Sequence, residues 1–263
     1  MAAPDRMRRL LIIAGSDSSC GAGIARDLAV AAGLGAAPRL CITAVTAQDA
    51  GGVRAIHPVP ADVIAAQIAA AGPVAAVKIG MLADAPTLRA VATALNRSSV
   101  TCPVVLDPVL SASAGGALLD ADGVAALHGL LPRLSLITPN LPEAAALTGH
   151  HDITDQGRAL LRQGASAVLI KGGHGGGALA TDWLFEPDQP PRAFSHPRRP
   201  VTRRGTGCTL STAIACALAA GATLPDAITA ARACLDDWLE NDWLGNDLLG
   251  NLVPAEGLEP PTL

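Results

Sequence analysis

The run Arg204-Gly205-Thr206-Gly207-Cys208-Thr209 leads directly into an apolar stretch of helical period. Glycines at that spacing let the backbone turn so that successive amides face one concavity. A helix starting there adds unsatisfied N–H groups and a positive dipole end. Together they can hold a phosphate or a developing negative charge. The same letters also describe a tight turn that merely opens a helix. Cys208 falls in the first helical turn, where a thiol pKa is lowered, and Arg203 or Arg204 nearby would lower it further. The competing reading is a small residue chosen for packing.

Other residues could serve the same chemistry. Asn140 and Glu143, in Thr138-Pro139-Asn140-Leu141-Pro142-Glu143, are spaced as a helix N-cap and its first-turn acid. Glu143 could alternatively hold Mg²⁺, which keeps several waters and takes few carboxylates. Asp107 ends an apolar run before Pro108, as a second carboxylate or a strand-end turn. Lys171, before Gly172-Gly173-His174, could neutralise nucleotide phosphate or stand as a solvated strand end. Residues 14–23 form a glycine-containing loop that could line an acceptor pocket. Asp27 and Gln48 could hydrogen-bond the edge of an aminopyrimidine or pyridine ring, though each also reads as a surface polar residue. Neither G-x-G-x-x-G nor G-x-x-x-x-G-K-[ST] occurs, so both standard nucleotide fingerprints are missing.

The elements needed to position these residues follow from periodicity. Strands are expected at 10–14, 40–45, 75–79, 103–106, 134–137 and 167–170. Helices are expected at 22–33, 60–71, 86–96, 120–130, 142–147, 155–163, 209–220 and 225–239. Strand and helix alternate, which demands crossover connections and hence a mostly parallel sheet covered on both faces. Residues 178–194 break the pattern and suggest an antiparallel addition. Ligands of such sheets bind beyond the carboxyl ends of the strands. The loops concerned are 15–23, 46–52, 78–82, 107–116, 138–143 and 171–177. No internal repeat or linker is visible, so a single domain is expected, with its core at 10–239 and a frayed tail at 241–263.

The 263 residues are 50% hydrophobic and 16% charged, a globular balance. Only 2% are aromatic, so aliphatic side chains must fill the core. A formal charge of −4 and the absence of a basic stripe argue against nucleic acid as a partner. No apolar run approaches the ~20 residues of a membrane span, and no signal peptide is read before residue 9. The six cysteines form no C-x-x-C pair, and no histidine cluster has zinc spacing, which points to a reducing cytoplasm.

In chain order the motifs A-G-S-D…G-A-G-I, T-A-x-x-A-Q, V-K-I-G-M-L, V-L-D-P-V, I-T-P-N-L-P-E-A, K-G-G-H and G-T-G-C-T-L-S resemble hydroxymethylpyrimidine/phosphomethylpyrimidine kinases of thiamine biosynthesis. These are a branch of the ribokinase-like fold. The resemblance spans about residues 10–239 and implies a three-layer α/β/α architecture. It implies ATP-dependent phosphorylation of a small-molecule substrate, 4-amino-5-hydroxymethyl-2-methylpyrimidine, and then of its monophosphate. It further implies Mg²⁺ and a cytoplasmic homodimer. By position, Gln48, Gly15, Asp27, Met81 and Val109 resemble pyrimidine-pocket residues. Asn140 and Glu143 resemble the Mg²⁺–nucleotide motif, with Asp107 and Lys171 nearby. Gly205, Thr206, Gly207 and Cys208 resemble the anion hole, with Cys208 where many ribokinase-like enzymes carry an Asp base. The chain departs from the pattern at Arg204, where His is common, at Cys20, at Ala25-Arg26 and over 243–263. Alternatives are a pyridoxine or pyridoxal kinase on the same scaffold, and a non-catalytic pyrimidine-binding regulatory protein.

Overall fold

The computed structural model describes residues 9–49, 51–97, 101–111, 116, 118–174, 177–199 and 203–241. The tail expected to be frayed lies outside them, apart from Asn241.

Strand β1, Arg9–Asp17, is buried almost throughout. Leu10, Ile12 and Ala14 point to one core and Leu11 and Ile13 to another. A strand apolar on both sides must be covered on both sides, and the helices comply. On one face, Val30 and Ala31 of α1 (Gly23–Gly33) pack with Ile214 of α7 (Thr206–Ala219) and Leu235 of α8 (Leu224–Asn241). The other face is covered by α2 (Ala61–Ala71), α3 (Ala85–Arg97), α4 (Ala121–Leu127), α5 (Leu141–Thr148) and α6 (Ile153–Arg162). Their Ile64, Leu88, Leu127, Leu147 and Leu160 join a single cluster there. The result is the three-layer α/β/α sandwich.

Among the described residues the sheet has nine strands, numbered in chain order and lying in the order β3-β2-β1-β4-β5-β6-β7-β8-β9. β2 (Ala37–Asp49), β4 (Ala76–Ile79), β5 (Val104–Leu106), β6 (Leu136–Ile137) and β7 (Val168–Ile170) run parallel with β1. The antiparallel addition forms β8 (Leu179–Phe185) and β9 (Arg192–Pro197).

The opposite edge differs from expectation. β2 continues well past residue 45, and β3 (Gly52–Pro58) folds back on it antiparallel. Gln48 therefore lies on a paired strand end, opposite Val53, instead of in a loop. The chain moves outward from β1 to β2 and β3, then crosses to β4 on the other side of β1. That reversal opens a crevice at the carboxyl ends of β1 and β4, the usual ligand position in a doubly wound sheet.

Candidate active site

A cleft of about 990 Å³ opens along this edge. Its wall includes Gly15, Gln48, Met81 and Val109 at one end, with Asp107, Asn140, Glu143, Lys171 and residues 205–208 further along. The structure thus brings together all but one of the site residues expected from sequence.

The glycine turn is built for backbone exposure. Gly205 is the N-cap of α7 in a left-handed conformation (φ 84°), and no side chain caps the helix. A Cβ at Gly205 would stand 2.6 Å from the Gly21 carbonyl oxygen, so glycine is required on two counts. The amides at 206–208 begin the helix and have no intrahelical acceptors. A Cβ on Gly207 would stand 2.9 Å from Asp107 Oδ2 and 3.3 Å from Lys171 Nζ. The missing side chain is what lets a carboxylate and an ammonium approach the start of the helix.

Asp107 and Lys171 form an ion pair of 2.6 Å. β5 ends at Leu106 and β7 at Ile170, with β6 between them, and the side chains that follow these two strand ends meet across it. Burial pulls the Lys171 ammonium down, but Asp107 and Glu143 more than offset it and hold its pKa above the usual range. Asn140 and Glu143 form a full capping box on α5: Glu143 N–H donates to Asn140 Oδ1 at 2.9 Å, and Asn140 N–H donates to Glu143 Oε2 at 2.8 Å. Burial pushes the Glu143 carboxyl up to about 7, with Lys171 pulling it back and Asp107 adding to the rise. Among the described residues no three His, Cys, Asp or Glu side chains gather to hold a metal on their own. Asp107 and Glu143 suit a hard cation that brings most of its ligands as phosphate oxygens and water, as Mg²⁺ does.

Cys208 corrects an expectation. The helix start was expected to favour thiolate, yet burial dominates and raises the thiol pKa to about 11, against the pull of Lys78 and the Gly23 amide. Lys78 is the leading charge that opposes the rise. Arg204 donates to Asp17 Oδ2 at 2.9 Å and Ser19 Oγ at 2.8 Å.

Asp27 is the residue that does not join the wall. It is completely buried on the face of α1 shared with Ile24, Val30 and Ala31. There it accepts from Lys78 Nζ at 2.6 Å and Thr212 Oγ1 at 2.8 Å, beneath the cleft. Lys78, in contrast, does reach the cleft wall. Burial pulls its ammonium down and pushes the Asp27 carboxyl up, while Asp27, with Asp107 further off, holds the Lys78 ammonium above its usual range. Sequence reasoning gave neither Lys78 nor Asp17 a role. The signal for Lys78 was a lysine inside the apolar run Val77-Lys78-Ile79, which needs a buried counter-charge.

The sandwich, the crevice at the strand reversal and the uncapped helix facing an Asp–Lys pair define a ribokinase-like phosphotransferase. Comparison with known proteins narrows the class. A family model described as phosphomethylpyrimidine kinase matches residues 17–250, reaching into the segment beyond 243 that the motifs had left unmatched. The hydroxymethylpyrimidine/phosphomethylpyrimidine kinase of Rhizobium meliloti (strain 1021) is 45% identical over 235 residues, covering 86% of this chain and 88% of the relative. The crystal structure of phosphomethylpyrimidine kinase from Clostridium difficile 630 superposes with a TM-score of 0.77 at 34% identity, covering 88% of this chain and 99% of that one. The pyridoxal kinase from Staphylococcus aureus, solved with AMP-PCP and pyridoxal, gives 0.79 at 28% identity, covering 89% and 88%. The chain belongs to the phosphomethylpyrimidine kinase family.

Proposed function

We propose that this chain transfers the γ-phosphoryl group of ATP to the hydroxymethyl group of 4-amino-5-hydroxymethyl-2-methylpyrimidine, and a second to the monophosphate, giving the diphosphate used in thiamine synthesis. The observation that carries this reading is the uncapped start of α7 facing Lys171 and Asp107, in one cleft with Gln48, Met81 and Val109. The pyrimidine lies among Gly15, Gln48, Met81 and Val109. The triphosphate lies toward Asn140 and Lys171, and the transferring group against the amides at 205–208.

As the acceptor oxygen bonds to the γ-phosphorus, the bond to the bridging oxygen breaks and ADP leaves with that oxygen. The hydroxyl proton is released. Phosphoryl transfer runs largely on positioning and charge stabilisation, so a strong base is not required. A thiol with a pKa of about 11 is protonated at neutral pH, so Cys208 orients the acceptor hydroxyl by hydrogen bonding and does not act as a resting thiolate. Glu143 and Asp107 would hold Mg²⁺ directly or through water, and the ion would supply charge neutralisation to the phosphates. The cytoplasm as the place of work and the homodimer as the working form rest on family resemblance alone.

Product analysis with the pyrimidine alcohol, ATP and Mg²⁺ tests the reading. Sequential appearance of mono- and diphosphate is expected. Accumulation of monophosphate alone would remove the second reaction. The likeness to a pyridoxal kinase bound to pyridoxal supports a second reading. Faster turnover of pyridoxal than of the pyrimidine alcohol would make it the first.

A further inference from the structure

Arg204 immediately precedes the glycine turn, and its terminal nitrogens are engaged by protein acceptors. Nη2 donates to Asp17 Oδ2 at 2.9 Å, and Nη1 donates to Ser19 Oγ at 2.8 Å and to the Asp49 carbonyl at 3.3 Å. These partners lie in two separate segments. Asp17 ends β1 and Ser19 belongs to the loop that follows it, and Asp49 ends β2. That loop already grips β2 near Gln48: Ser18 Oγ donates to the Gln48 carbonyl and accepts from the Gln48 amide, both at 2.9 Å.

We infer that Arg204 is a positioning residue, whose guanidinium fastens the acceptor-side loop and the end of β2 to the turn that holds the phosphoryl group. The inference rests on the kinase reading for what the cleft binds. In-line transfer requires the acceptor oxygen and the phosphorus within a fraction of an ångström of a productive distance. The acceptor wall (Gly15, Gln48) and the anion hole (205–208) are nearly 160 residues or more apart in sequence, and Arg204 joins the two by side-chain hydrogen bonds. The pair is sheltered, with side-chain exposures of 25% for Arg204 and 1% for Asp17, so removing one partner costs more than at a surface pair. Removing Arg204 leaves Asp17 its other donors, the Ser19 amide, the Ser19 hydroxyl and the Ala22 amide. The loop keeps its own turn, and what is lost is its registration against α7.

The test combines kinetics with backbone amide hydrogen exchange in Arg204→Met, Arg204→Lys and Asp17→Asn. Arg204→Met is expected to lower kcat/KM for the pyrimidine alcohol by about 10- to 100-fold, leaving KM for ATP unchanged. Arg204→Lys, which keeps the charge but not the fork, recovers part of the loss. In Arg204→Met the amides of Ser19 and Gln48 exchange faster, while Ile12 in the core of β1 does not change. Should Arg204→Met fail to fold, Asp17→Asn, which keeps the shape of Asp17, reads out the same split. Equal losses toward ATP and acceptor, or unchanged exchange at Ser19 and Gln48, would overturn the inference. A wild-type protein that does not phosphorylate the pyrimidine alcohol overturns the kinase reading instead. The exchange comparison needs no substrate and still decides whether Arg204 ties these segments together.

Discussion

At Cys208 two effects of opposite sign meet, and burial outweighs the helix start. The residue is 9% exposed, and its thiol sits near 11. Cys20 is exposed on the loop after β1. Alkylation with iodoacetamide at pH 8, mapped by mass spectrometry, is therefore expected to label Cys20 first and leave Cys208 unmodified in the folded protein. Cys208→Ser is expected to lower kcat while changing acceptor affinity little, because serine keeps a donor at that point with a shorter reach. Full activity in Cys208→Ser would mean that only the backbone of the turn matters. Gly207→Ala is the sharper change. Its methyl group would press on Asp107 and Lys171, and a displacement of about 1 Å at a reacting centre costs roughly 100-fold in rate. Steady-state kinetics with circular dichroism as a folding control checks this. Loss of helical signal in parallel with activity would point to misfolding in place of misplacement.

At the scale of elements, the parallel core was legible because apolar runs and helical stretches alternate plainly along the chain. The site loops followed from it, since strand ends in such a sheet converge on one edge. β3 was not legible. Gly52–Pro58 is a short edge strand whose exposed residues, Arg54, Ala55, His57 and Pro58, blur its alternation. Asp27 was misplaced for a different reason. Its spacing from Ile24, Val30 and Ala31 puts it on the buried face, but a lone carboxylate reads as polar until its partner Lys78 is known. A second buried charge cluster ties strand to helix: Asp182 of β8 pairs with Arg232 of α8 and accepts from the Gly172 amide at 2.9 Å. Burial pushes the Asp182 carboxyl up, but His196, Arg232 and the Gly172 amide more than compensate and hold it below its ordinary value of 3.8. The unfolded state then binds the proton more readily, so this stabilisation is present above about pH 4 and is lost as pH falls through the lower folded value. Thermal melts from pH 7 to pH 3 are expected to show a steeper acid loss in the wild type than in Asp182→Asn. Arg232→Met strands the carboxylate and is expected to cost about 3–5 kcal/mol at pH 7, as for other broken buried pairs. An unchanged melting temperature would show that His196 and the amide suffice.

At the scale of the molecule, the two larger hydrophobic clusters share the same strands, one on each face of the sheet. Neither face can lose its helices without exposing the strands that support the other. The two faces are therefore expected to melt as one unit, even though the chain is longer than most two-state domains. The cleft runs across this sheet edge and is walled by elements from both layers: residues 205–208 start α7 on one face, and Asn140 and Glu143 open α5 on the other. A ligand that spans it binds only the assembled sandwich, and it stabilises the fold by mass action. A nucleotide at 100 times its Kd contributes about 2.7 kcal/mol. For a chain of this size each kcal/mol shifts the midpoint by roughly 2–4 °C, so a rise of about 5–11 °C is expected with a non-hydrolysable ATP analogue and Mg²⁺. Calorimetry distinguishes the possibilities. One transition that moves as a whole fits a single cooperative sandwich. Two transitions, with only one displaced by nucleotide, would mean that the cleft belongs to a subdomain and that the shared strands do not couple the layers.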